Sequence, residues 1–274
     1  MNYSRTLVDE YKSCEQAFYR QHDITPPDWL AEPVAALSAL AMCVLALYAP
    51  PLNSWKTELP TVFWLAQAAL FGNGIGSFFW HGASAQTTTR LTLPTRMLDG
   101  LTMAMLTGFT ALLFFGQPTR PAICGAYLTV LWLMWSGYTN DSAAFAFLYH
   151  CIGDNAPLLL QFAPVLAVYM LMLYYIVTSH PWEQCAPFVG ILATGLAAWF
   201  IDRFACSGID VFSFGHGIWH IFMGYASLLF ICYALERRGY TLVGRWYPEL
   251  QRVNTADDFD VIKYTDLDKG PFSC

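Results

Sequence analysis

The chain has 274 residues, of which 56% are hydrophobic, 16% aromatic and only 12% charged, with a net charge of −6. Soluble domains carry about 25% charged residues, so a single soluble core is excluded and lipid is the expected solvent. The charge is spread over the ends and loops, with neither the basic block of a nucleic-acid binder nor an acidic solvating tract.

From the N-terminus, MNYSRTLVDEYKSCEQ lacks the apolar core of a cleaved signal peptide, so the first span is expected to direct insertion itself. Apolar runs near the 20 or so residues that cross the hydrocarbon predict spans at 29–50, 60–82, 96–116, 120–138, 155–178, 184–204 and 213–236. Pro50-Pro51 with Asn53, Gln117-Pro118, Asn140-Asp141, His180-Pro181 and Ser207-Gly208 punctuate them. The segment 142–153 is apolar but too short to span and reads as interfacial.

The expected fold is therefore all-α, a polytopic membrane protein built as a seven-transmembrane-helix bundle. An extramembrane segment (1–28), the helical domain (29–236) and a polar tail (237–274) make up the chain, without internal repeats. Arg237, Arg238 and Arg245, with Lys56 and Arg120, favour a cytoplasmic C-terminus and an outside or lumenal N-terminus. Arg20, Arg90, Arg96 and Arg203 count against that orientation.

Ionisable groups in hydrocarbon cost a few kcal/mol (roughly 2.5–3.5 for Asp, Lys or Arg at a helix centre) and point to function. Glu32 opens the first span, Ser77 and His81 close the second, Asp99 opens the third, Asp202 closes the sixth, and His216 and His220 open the seventh. Because successive spans reverse direction, all seven residues share one depth on the N-terminal side. Ser77 with His81, and His216 with His220, are four apart and project from one helical face in each case. Three neutral imidazoles make the ligand set of a catalytic zinc with an open position. The stretch HGIWH has Gly217 where a zinc-protease helix carries glutamate, so a base has to come from another helix. Asp99 is the candidate base, accepting a proton from metal-activated water, and Ser77 the donor to a developing oxyanion.

Blander readings exist for each. Ser77 beside Gly72, Gly74 and Gly76 suits close helix packing. Asp99 and Asp202 suit caps or ion pairs with Arg96 and Arg203, and for Asp202 this structural role is the expected one. Of the eight cysteines, Cys43, Cys124 and Cys232 read as small packing residues. Cys14 and Cys206 both fall on the N-terminal side, where an oxidising compartment would join them in a disulfide.

In order along the chain, GSFFWH (76–81), RMLDGLTM (96–103), WFIDRFAC (199–206) and HGIWH (216–220) resemble the four signature stretches of the alkaline ceramidase family. That family falls within a superfamily of seven-helix membrane hydrolases and receptors. WLAEPVAALS (29–38) is similar to its first-helix opening, with Glu32 at the matching acidic position. The resemblance covers residues 14–236 and implies zinc ligation by His81, His216 and His220, assistance by Ser77 and Asp99, and hydrolysis of ceramide or a related N-acyl sphingolipid drawn from membrane lipid. It implies no nucleic acid and no obligate protein partner.

Two departures stand out. The connection between His81 and Asp99 is several residues longer than the family's usual one, so Asp99 is matched by its GLTM context. Some members also resemble a calcium site before the first helix, which here would use Glu15 and Glu32; Lys12 and Ala17 stand where oxygen ligands are expected, with Asp23 or Asp28 as substitutes for a cage of about six oxygens. The alternatives to a zinc amidase are a receptor of the same superfamily and a proton-coupled transporter. A transporter should show two interrupted half-helices in symmetric repeats, which the sequence does not contain.

Overall fold

The computed structural model describes residues 14–27, 30–47, 59–83, 89–115, 156–204 and 214–238, and among these the regular structure is entirely α-helical. The helices are α1 (Cys14–Gln21), α2 (Pro33–Leu47), α3 (Thr61–Ala83), α4 (Thr89–Phe114), α5 (Ala156–Ser179), α6 (Trp182–Phe204) and α7 (Gly215–Arg237). Lipid offers no hydrogen bonds, so a chain this apolar has to satisfy its backbone within each segment, and helices do so.

Five of these helices, α3 to α7, hold stretches long and apolar enough to cross a membrane, and α2 is a shorter apolar helix of fifteen residues. Helices α2 to α7 fall on six of the expected spans, while the span expected at 120–138 and the tail beyond Arg238 lie outside the described residues. The segment 142–153 lies outside them too.

Helix α4 begins at Thr89, ahead of the position 96 expected from hydropathy, although its apolar stretch, Met97–Phe114, agrees. Hydropathy marks only the part of a helix inside hydrocarbon, and the polar turns carrying Thr89 and Arg90 prolong it beyond that limit. The long connection after His81 is thus in large part helix, leaving 84–88 between α3 and α4.

The bundle is organised around α7. In its apolar stretch 72% of residues are buried, against 28% in α5 and 33% in α6. The core gathers Phe63, Leu70, Leu113, Met172, Phe188 and Phe230 from α3 to α7, all almost fully buried. At Gly76 an added Cβ would stand 3.0 Å from the backbone N of Asp99, and at Gly74 2.9 Å from the carbonyl O of Ala39. These two glycines let α3 approach the backbones of α4 and α2 closely.

Both ends of the bundle are fastened by polar contacts. On the N-terminal side, Ala31 N–H donates to Gly82 O (3.1 Å) and Glu32 N–H to His81 O (3.2 Å), which satisfies carbonyls of the last turn of α3. Helix α1 sends Glu15 to the start of α2, where Oε1 accepts from Val34 N–H (2.7 Å) and Oε2 from Ala35 N–H (3.0 Å). Pro33 is the first residue of α2 and has no N–H to satisfy there. Tyr19 adds a hydroxyl donation to Glu15 Oε1 at 2.8 Å. At the opposite end, Arg238 donates to Leu113 O (2.9 Å) and Leu112 O (3.1 Å), capping α4, while Arg237 donates to the Tyr175 hydroxyl (2.8 Å).

Candidate metal centre

Helix α3 presents Ser77 and His81 inward, and α7 presents His216 and His220, because residues four apart lie on one face. Where the two helices meet, the three histidines converge: one ligand atom from each lies within 4.8 Å of the others, and all three residues are buried. Ring centroids are 4.5 Å apart for His81 and His216, 5.0 Å for His81 and His220, and 4.8 Å for His216 and His220.

Each ring is oriented by an acceptor at Nδ1. His81 Nδ1 donates to Glu32 Oε2. His216 Nδ1 donates to Asp202 Oδ2 at 3.3 Å. His220 Nδ1 donates to Ala35 O at 2.9 Å, with Ser38 Oγ at 3.2 Å. Carboxylates and carbonyls only accept, so the proton of each neutral imidazole belongs on Nδ1 and the lone pair on Nε2. That tautomer leaves Nε2 free to ligate a metal, and it is held by the carboxylate and carbonyl partners that commonly support ligating histidines. Three such imidazoles can bind a metal ion and are compatible with zinc.

Ser77 is buried with Oγ 3.0 Å from His220 Nε2, which joins it to the cluster. Asp99 is partly buried at the start of the apolar stretch of α4, and Asn73 Nδ2 stands 3.3 Å from both its Oδ1 and its backbone O. Thr102 Oγ1 is 3.4 Å from the same nitrogen.

Of the acidic residues weighed as calcium ligands, Glu32 bonds His81, and both oxygens of Glu15 accept at the N-terminus of α2. Burial pushes the Glu15 carboxyl above its ordinary range, against the pull of these hydrogen bonds. Among the described residues, the three histidines are the group whose ligand atoms converge closely enough to hold a metal ion. Cys14 is disulfide-bonded and its sulfur lies 2.7 Å from Asp202 O, while Cys206 lies outside the described residues. Cys43 and Cys232 are buried free thiols in the apolar interior.

At two positions the structure adds to the sequence reading. Asp202, expected as a cap or an ion-pair partner of Arg203, accepts from His216 Nδ1, while the Arg203 side chain lies outside the described residues. Asn73 had drawn no attention, although it lies four residues before Ser77, so that Asn73, Ser77 and His81 form one polar line along α3. That spacing was the signal for it.

Among curated proteins none gives a significant match. The Ceramidase family model matches residues 12–240, a stretch that takes in every residue of this centre and all the described helices. With five helices among the described residues fit to cross a membrane and a matched region that covers most of its length, the chain belongs to the Ceramidase family of hydrolases.

Proposed function

We propose that this protein hydrolyses the amide bond of ceramide, or of a related N-acyl sphingolipid, to a sphingoid base and a free fatty acid, using zinc held by His81, His216 and His220. The observation that carries the reading is the matched set of three buried imidazoles, each with Nδ1 committed to an acceptor. Zinc bound there would act as a Lewis acid and bring the pKa of water to about 7.

The residues around it divide the remaining work. Asp99 takes a proton from water as its oxygen bonds to the amide carbon, and returns it to the nitrogen as the carbon–nitrogen bond breaks. Ser77 donates to the substrate oxygen as negative charge develops there. The two lipid chains lie along the apolar helices, which keeps the amide near the end of the bundle where the histidines meet. The N-terminus lies outside or in a lumen and the C-terminus in the cytoplasm. The disulfide at Cys14 supports that orientation, since bridges persist in oxidising compartments.

Fatty acid released from a defined ceramide by the detergent-purified protein, with metal content determined alongside, tests the reading. About one zinc per chain with turnover, both lost in His220→Ala, is the expected result. Zinc without turnover of any N-acyl lipid would move the protein to the receptor branch of the superfamily. Absence of any metal would overturn the hydrolase mechanism.

A further inference from the structure

Asn73 is buried on α3, with its side-chain nitrogen set against three acceptors of α4: Asp99 Oδ1 and Asp99 O at 3.3 Å and Thr102 Oγ1 at 3.4 Å. Thr102 already donates its hydroxyl hydrogen to backbone carbonyls, at 2.7 Å from Leu98 O and 3.0 Å from Asp99 O, so its oxygen meets Asn73 as an acceptor. An amide NH2 has two hydrogens and no charge, which suits a site made of acceptors around a carboxylate. Aspartate there would set two carboxylates together, and an aliphatic residue would remove the donation from α3. The contact also spans the place where Gly76 brings α3 against the backbone of Asp99, so the amide is held at a fixed distance from the carboxylate.

We propose that Asn73 is a positioning residue for the reaction: its amide fixes the carboxylate of Asp99 in the orientation from which Asp99 moves the proton. The proposal rests on the base role of Asp99 put forward above. It gives a use to the one polar residue of the line Asn73, Ser77, His81 that touches neither the histidines nor Ser77 through any hydrogen bond among the described residues. A purely structural interhelical bond would hold α3 to α4 equally well whether or not residue 99 could take a proton, and this difference can be measured.

The experiment is a double-mutant cycle on the detergent-purified full chain, with Asn73→Leu, which keeps bulk without donors, and Asp99→Asn, singly and together. Asn73→Ala serves as the second variant at the same position. Asn73→Leu should lower kcat by about 10–100-fold, the range seen when orienting partners are removed, with KM and metal content unchanged. Added to Asp99→Asn, it should cost less than about 2-fold, because the group it orients no longer acts. An equal loss in both backgrounds, kcat of Asn73→Leu within about 2-fold of wild type, or loss of folded, metal-loaded protein in both Asn73 variants would overturn the proposal. Full activity of Asp99→Asn would remove the base role itself, whereas an inactive Asp99→Asn beside a fully active Asn73→Leu would remove only the role given to Asn73.

Discussion

Glu32, immediately before α2, accepts a hydrogen bond from Nδ1 of His81 at the end of α3, 49 positions further along the chain, and both side chains are buried. The backbone repeats the join, since Glu32 N–H donates to His81 O. A candidate metal ligand and its supporting carboxylate are thus held in register by main chain and side chain together, which leaves little freedom for the ring.

Glu32→Gln should weaken metal binding by about 10–100-fold, because an amide is a poorer acceptor and no longer favours the Nδ1–H form as strongly. Metal retained against a graded series of chelators measures this. Unchanged retention would mean that the backbone contact alone orients His81.

Asp202→Asn should act in the same direction but less, because its bond to His216 is long, at 3.3 Å, and an amide oxygen can still accept there. The same chelator series, run side by side with Glu32→Gln, gives the order. A larger loss for Asp202→Asn would reverse the ranking of the two supports.

Removal of the metal by prolonged chelation should abolish fatty-acid release, and stoichiometric zinc should restore it. Activity that survives complete removal would leave the histidine cluster a structural feature.

Glu15 supports α2 from outside the membrane stretch, and Glu15→Ala should cost about 0.5–2 kcal/mol through loss of the cap. Since burial raises the Glu15 carboxyl above 4.5, its contribution is fully present at low pH and is lost as pH rises through the raised value. The cost of Glu15→Gln, which does not titrate, should therefore shrink as pH rises. Thermal unfolding of both proteins across a range of pH checks the sign.

The disulfide of Cys14 should pair with Cys206, because the Cys14 sulfur lies beside Asp202 O, four residues before Cys206 in the chain. Non-reducing peptide mapping identifies the partner directly. Cys14→Ser should destabilise the protein by about 2–5 kcal/mol, the usual cost of removing a native disulfide.

The sequence by itself determined that the chain is helical and meant for lipid, because twenty-residue runs without charge admit little else, and its motifs led to the family that the match over 12–240 establishes. It also singled out His81, His216 and His220, since spacing on a helix and alternation of direction across a membrane place polar residues at a depth without any knowledge of packing. What only the tertiary structure decided is which of these residues meet. Glu32 goes to His81, Asp202 goes to His216, and Ala35 supplies a carbonyl to His220, a backbone group that no reading of side chains could select. The part of Asn73 was likewise settled by contact between helices. Depth along a span follows from counting residues, whereas rotation and closeness of neighbouring helices depend on where residues such as Gly74 and Gly76 let backbones approach, and that is a property of pairs of helices.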